Sequence, residues 1–198
     1  MLKTDPIEAI MLSLDPGVRT QAMADMAEAG CRVQTSASRG AGASHNEQYS
    51  PVFAHIKRME WTDPEQASLI YTLYALSEEE SNQWVDAFQA SVIDALPAAV
   101  DGWEKMTNLK RERAGWIAFA AIVARRSDLD RIQAEWNPER ISYYLADMHG
   151  VKISCQQWKR DYAQFWDAAN SILERKEQEA LRPVSACLLY TSPSPRDS

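Results

Sequence analysis

An all-α fold, a helical bundle with a helix-turn-helix near the C-terminus, follows from three features of the sequence. Apolar residues recur at three- and four-residue spacing in successive stretches. No stretch sustains the period-two alternation of a half-buried strand. Start signals of the Asp-Pro type, in which proline occupies a first-turn position that needs no N–H partner, occur at Asp5-Pro6, Asp15-Pro16 and Asp63-Pro64.

The elements follow in order. Asp5-Pro6 and Asp15-Pro16 open two short helices, ending near Leu14 and Ala29, with Gly30 as the C-cap of the second. Residues 1–34 thus form an N-terminal helical segment. Residues 35–50, "TSASRGAGASHNEQYS", are poor in apolar side chains and rich in Ser, Ala and Gly, which predicts a flexible linker. The helical body spans residues 51–134. Within it Asp63 caps a helix that carries Ile70, Leu73 and Tyr74. Ser77 and Glu80 have capping-box spacing, and Val85, Phe88, Val92 and Leu96 form one apolar face with Trp84 beside them. Pro97 and Gly102 interrupt that pattern. A longer helix follows with "AGWIAFAAIVA", Ala114–Ala124, at its centre and Arg125 and Arg126 near its C-terminal end, where cations suit the helix dipole.

Residues 135–182 carry the helix-turn-helix and a C-terminal helix. Pro138 starts a helix with an inward face of Ile141, Tyr144, Leu145 and Met148, and Gly150 ends it in a left-handed conformation. Val151 and Ile153 plug the turn, and Ser154 caps the next helix, with Gln157 completing a capping box. Trp158 and Tyr162 face the core and are followed by Phe165, Trp166, Ala169 and Leu173. With Trp158 inward, Gln156 and Arg160 turn outward, flanked by Gln157 and Lys159. Glutamine suits adenine, arginine suits guanine, and lysine contacts phosphate. The candidate DNA-binding set is Lys152, Ser154, Gln156, Gln157, Lys159 and Arg160. A plain helical hairpin with a solvated polar face is the alternative.

Composition bounds the function classes. Hydrophobic residues make up 45% and charged residues 25% of the 198, and seven Trp and seven Tyr are enough aromatics to anchor a core. The apolar run Ala114–Ala124 falls short of the ~20 residues that span a bilayer, so no membrane partner is expected. The N-terminus lacks the pattern of a secretory signal, and Cys31, Cys155 and Cys187 show no metal spacing. Free thiols, a cytoplasmic location and no metal or cofactor are expected. Net charge −7 argues against nonspecific coating of nucleic acid, which needs many cations, but leaves room for a local reader. His45, His55 and His149 have no nucleophile arranged beside them, the acids of "SEEES" suit a helix N-terminus on electrostatic grounds alone, and "SRGAGAS" lacks the lysine of a phosphate loop. No catalytic residue, and no enzyme, is predicted.

The tail Cys187–Asp197, "CLLYTSPSPRD", matches in order the translation of a transposon-end sequencing adapter. Residues 187–198 are therefore expected to be disordered and foreign to the fold, with the natural C-terminus missing beyond this point.

The order of "KRERAGWIAFAAIVARRS", a gap, a helix, a turn and Ser154, Trp158, Arg160, Tyr162 and Trp166 resembles the bacteriophage antitermination proteins called Q, in the class without a zinc finger. The resemblance covers about residues 50–181 and is best over 111–126 and 154–166. It implies a late-gene regulator in the bacterial host cell that binds double-stranded DNA beside a phage promoter. Such a regulator then loads onto paused host RNA polymerase and carries it past terminators. Residue by residue, it places the DNA role on Ser154, Gln156, Gln157, Lys159 and Arg160, and marks no polymerase-contacting surface. Other helix-turn-helix proteins (a repressor, a transposase-type DNA-binding domain, a packaging adaptor) and a purely structural helical protein remain as alternatives.

Overall fold

A computed structural model describes residues 5–15, 41–129 and 135–191. Among the described residues all regular structure is helical: α1 (Pro6–Leu14), α2 (Ala41–Thr62), α3 (Pro64–Tyr74), α4 (Glu78–Ala99), α5 (Asn108–Leu129), α6 (Pro138–His149), α7 (Trp158–Asp161) and α8 (Ala163–Thr191). Single 3-10 turns lie at Trp103–Lys105 and Cys155–Gln157. The fold class is all-α. Among the described residues no helix is long and apolar enough to cross a membrane.

The chain divides into two compact units, residues 1–83 with 178–198, and residues 84–177. In the first unit, Asp5 accepts the amide of Ile7 at 3.0 Å and Pro6 fills the first turn, so α1 starts where its cap dictates. Its face of Ala9, Ile10, Ser13 and Leu14 is buried. α2 buries Val52, Ile56 and Met59, at helical spacing. Asp63 accepts the amide of Gln66 at 3.2 Å, and α3 then buries eight consecutive residues, Ala67 to Tyr74. Burial on every side means that α3 is the core of its unit rather than a surface helix. The Tyr71 hydroxyl, inside that apolar run, donates to Glu60 on α2 at 2.6 Å. Glu60 also takes Lys57 at 2.6 Å. Burial alone would raise the Glu60 carboxyl, but the hydrogen bonds from Lys57 and Tyr71 outweigh it and hold the group below its ordinary value. His55 is pushed down, chiefly by burial and also by Arg58.

The second unit is built on α4, α5, α6 and the start of α8. The α4 face of Phe88, Val92 and Leu96 is fully buried, while Val85 is half-buried. Ser77 caps α4, its hydroxyl taking the Glu80 amide at 3.5 Å. Pro97 does not stop α4, which continues to Ala99. α5 buries Ala114, Ile117, Ala118, Ala120, Ala121 and Ile122. Small residues there let helices approach: a Cβ placed on Gly115 would lie 3.3 Å from Ile93 Cδ1 of α4. Arg125 of α5 reaches Glu177 of α8, whose side chain is 5% exposed, with Nε 3.0 Å from Oε2.

Several expectations need correction. Residues 41–50, expected as linker, form the first part of α2. Their lack of apolar residues removes the periodic signal but not the helix propensity of Ala, Glu and Gln. Residues 35–40 and the second short helix expected up to Ala29 lie outside the described residues. Met148, expected on the inward face of α6, is 63% exposed. The buried stripe is Ile141 and Leu145, continued by a half-buried His149, and Tyr144 is half-buried. The helix is rotated so that His149 rather than Met148 meets α5. α8 runs to Thr191, so residues 187–191, expected to be disordered, are helical. Between Pro183 and Pro193 the sequence holds no proline to interrupt it. Residues 192–198 lie outside the described residues.

Candidate nucleic-acid interface

Asn137 accepts the amide of Arg140 at 2.9 Å and Pro138 opens α6. At its other end Gly150 has φ +69°, its amide donates to Ala146, and that of Val151 donates to Leu145 at 3.0 Å. That left-handed position is where a side chain is penalised, which is the physical reason for glycine. The end of α6 is seated by rings. His149 lies 4.9 Å from Trp116 and 5.1 Å from Phe119, both of α5, and 5.6 Å from Tyr144, centroid to centroid. The His149 Nε2 is buried and makes no hydrogen bond among the described residues. The ring is an anchor of the hairpin.

Ile153 is buried in the turn that follows. From here the chain departs from expectation. A single helix capped by Ser154 and running past Leu173 is replaced by three pieces: the 3-10 turn Cys155–Gln157, the one-turn helix α7, and α8. The Ser154 side chain makes no capping bond, so the expected capping box with Gln157 does not form. The break falls at Tyr162, with φ −128° and ψ −24°, whose carbonyl accepts the amides of Phe165 and Trp166 and restarts the helix. The cause is the burial of three large rings in a short stretch, with a fourth, Trp166, half-buried beside them. Trp158 and Tyr162 are 8% and 5% exposed and Phe165 is fully buried, with Trp166 6.3 Å from Trp158. The Tyr162 hydroxyl also accepts from Arg113 of α5 at 2.8 Å. The rings at 158, 162 and 165 find places in the core when the helix changes direction between them.

Lys152, Ser154, Gln156, Gln157, Lys159 and Arg160 are all exposed. They lie along the turn, the 3-10 turn and α7 rather than on one continuous helix. The inward position of Trp158 does set Gln156 and Arg160 outward. Three further charged residues belong to the surroundings and were not singled out from the sequence. Asp161 binds Arg160 through two contacts, Nε to Oδ1 at 3.2 Å and Nη2 to Oδ2 at 2.8 Å. These bonds hold the Asp161 carboxyl below its ordinary value and push Arg160 above its own. Lys110 of α5 comes to 3.9 Å of Asp161 Oδ1, and its ammonium lies 5.9 Å from the Phe165 ring centroid. Arg113 is the third. Lys110 and Arg113 are two basic residues among many in the sequence, and nothing local ties them to a turn some fifty positions later.

Cys155 is exposed and free. Among the described residues no group of three or more His, Cys, Asp or Glu side chains could hold a metal ion. In comparisons with protein families, curated proteins and solved structures, nothing matches this chain.

Proposed function

We propose that the chain is a double-stranded DNA-binding regulator whose contact face runs from Lys152 to Arg160. On the resemblance to the Q proteins, we propose further that it acts as a phage late-gene antiterminator on host RNA polymerase. One observation carries the DNA reading: six polar or cationic side chains are exposed in a stretch of nine residues while Trp158 between them is buried. A buried tryptophan fixes the backbone, so the amide and guanidinium groups around it are held outward without the cost of ordering a loose loop. The groups themselves are those that pair with base edges and phosphates. The broken helix and the acid at Asp161 favour a second reading, a helical hairpin whose rings serve only the core.

The two readings part on a binding experiment. DNA fragments from the promoter region next to the gene are titrated with the wild type and with the Gln156→Ala/Arg160→Ala double variant, at two salt concentrations. The DNA reader requires site-specific binding that disappears in the double variant, with the thermal melting curve unchanged. Terminator read-through by purified host polymerase then tests the antiterminator role. Absence of any site-specific binding at low salt leaves the structural hairpin.

A further inference from the structure

An acid next to the last residue of a DNA-facing strip is a cost, because it repels phosphate. An exposed ion pair between neighbours adds little to stability in return. The Arg160–Asp161 pair therefore calls for another reason, and its geometry supplies one. A guanidinium is a planar fork with two edges that each offer a pair of parallel N–H donors, the side edge (Nε and Nη2) and the end edge (Nη1 and Nη2). Asp161 occupies the side edge of Arg160, with both contacts formed. Lys110 of α5, whose ammonium sits over Phe165, comes to 3.9 Å of Oδ1 of the same carboxylate and braces it. Exposure runs in the same direction: the Arg160 side chain is 72% exposed, Lys110 33% and Asp161 24%. The acid is sheltered, and the far end of the arginine stands in solvent.

We infer that Asp161, braced by Lys110, is a positioning residue that locks Arg160 with its end edge outward, so that the protein reads a guanine in duplex DNA through O6 and N7. The inference rests on the reading of this face as a DNA-binding surface and adds the base and the device that selects it. A free arginine can turn its fork to any phosphate. One held by its side edge offers a single bidentate pair in a fixed direction, and among base pairs the major-groove edge of guanine presents the two matching acceptors. The carboxylate gives up general affinity in return for discrimination.

The test uses the full chain and a duplex library with a randomised central segment, selected in parallel by the wild type, Arg160→Ala, Asp161→Ala and Lys110→Met. Melting curves for each variant establish that it is folded. Wild type should enrich a motif containing a guanine that Arg160→Ala no longer selects. Asp161→Ala should lower the preference for that same guanine about tenfold, while its binding to mixed-sequence duplex tightens and its salt slope steepens by about one unit. Lys110→Met should relax the same position to a lesser degree. Retention of the guanine by both Asp161→Ala and Lys110→Met would overturn the positioning role and leave the DNA reading standing. A wild-type motif in which no guanine depends on Arg160 would overturn it too. Failure of the wild type to enrich anything would overturn the DNA reading and the inference together.

Discussion

Individual side chains set the most direct expectations. Arg125 and Glu177 form a pair in which the acid is buried and the base half-exposed, so the two partners are not equivalent. Arg125→Ala strips the guanidinium from a carboxylate that water barely reaches. It should cost about 2 kcal/mol in a urea titration, whereas Glu177→Gln, which leaves a cation able to reach solvent, should cost less. At Gly150 there is nothing within 4 Å for a Cβ to meet, so the left-handed backbone alone decides. Gly150→Ala should lose about 1 kcal/mol and Gly150→Asn less, since asparagine tolerates that conformation. Glu60 and His55 both have values below their ordinary ones when folded. For each, the unfolded chain binds protons more readily, so the stability is present above the unfolded value and is lost as pH falls through the folded one. His55 acts first, below its usual 6.5, and Glu60 below its usual 4.5. Chemical denaturation at a series of pH values should show two successive losses, the second, to which Asp161 also contributes, smaller in Glu60→Gln. A second loss of equal size in Glu60→Gln would remove the assignment.

At the scale of the helix, close approach competes with propensity. Gly115 lies inside α5, where replacement by alanine favours the helix by up to about 1 kcal/mol. The new Cβ would crowd the Ile93 side chain of α4. Gly115→Ala should therefore be close to neutral by itself, and stabilising in an Ile93→Val background that removes the crowding methyl. A double-mutant cycle reads that coupling directly. The same contrast between local and distant causes explains how much could be read in advance. Caps depend on two or three neighbouring residues, so the helix starts at Pro6, Pro64 and Glu78 and the left-handed stop at Gly150 were legible. So was the inward position of Trp158 and Tyr162, which follows from spacing. The break at Tyr162 was not legible, because it arises where the Trp158, Tyr162 and Phe165 rings meet partners such as Trp103 and Arg113. The exchange of Met148 for His149 on the buried side of α6 has the same origin in Trp116 and Phe119. Asp161 could have been noticed as the only acid within "CQQWKRDY", but its grip on Arg160 and its brace from Lys110 needed the fold.

For the whole chain, the division into units gives residues 178–191 a role in the first unit, far from the rest of it in sequence. Ala180 and Val184 are fully buried although they lie among Glu179, Arg182 and other polar residues. Val184→Ala should cost about 2 kcal/mol by removal of buried methyl groups. A chain ended after Glu177 should lose more than that, and one ended after Ala186 much less, as read from thermal melts. A melt unchanged by ending at Glu177 would show that the last part of α8 contributes nothing to the first unit.

That arrangement also orders events in time. Residues 84–177 are an uninterrupted stretch, and they can condense as soon as they leave the ribosome. The first unit is split in sequence by that stretch. Its early residues, Leu69, Ile70 and Leu73 among them, emerge first and must wait for the segment that holds Ala180 and Val184. During that interval apolar surface stays open to chaperones or to other nascent chains, and the wait lengthens with slow translation. The piece made first is completed last.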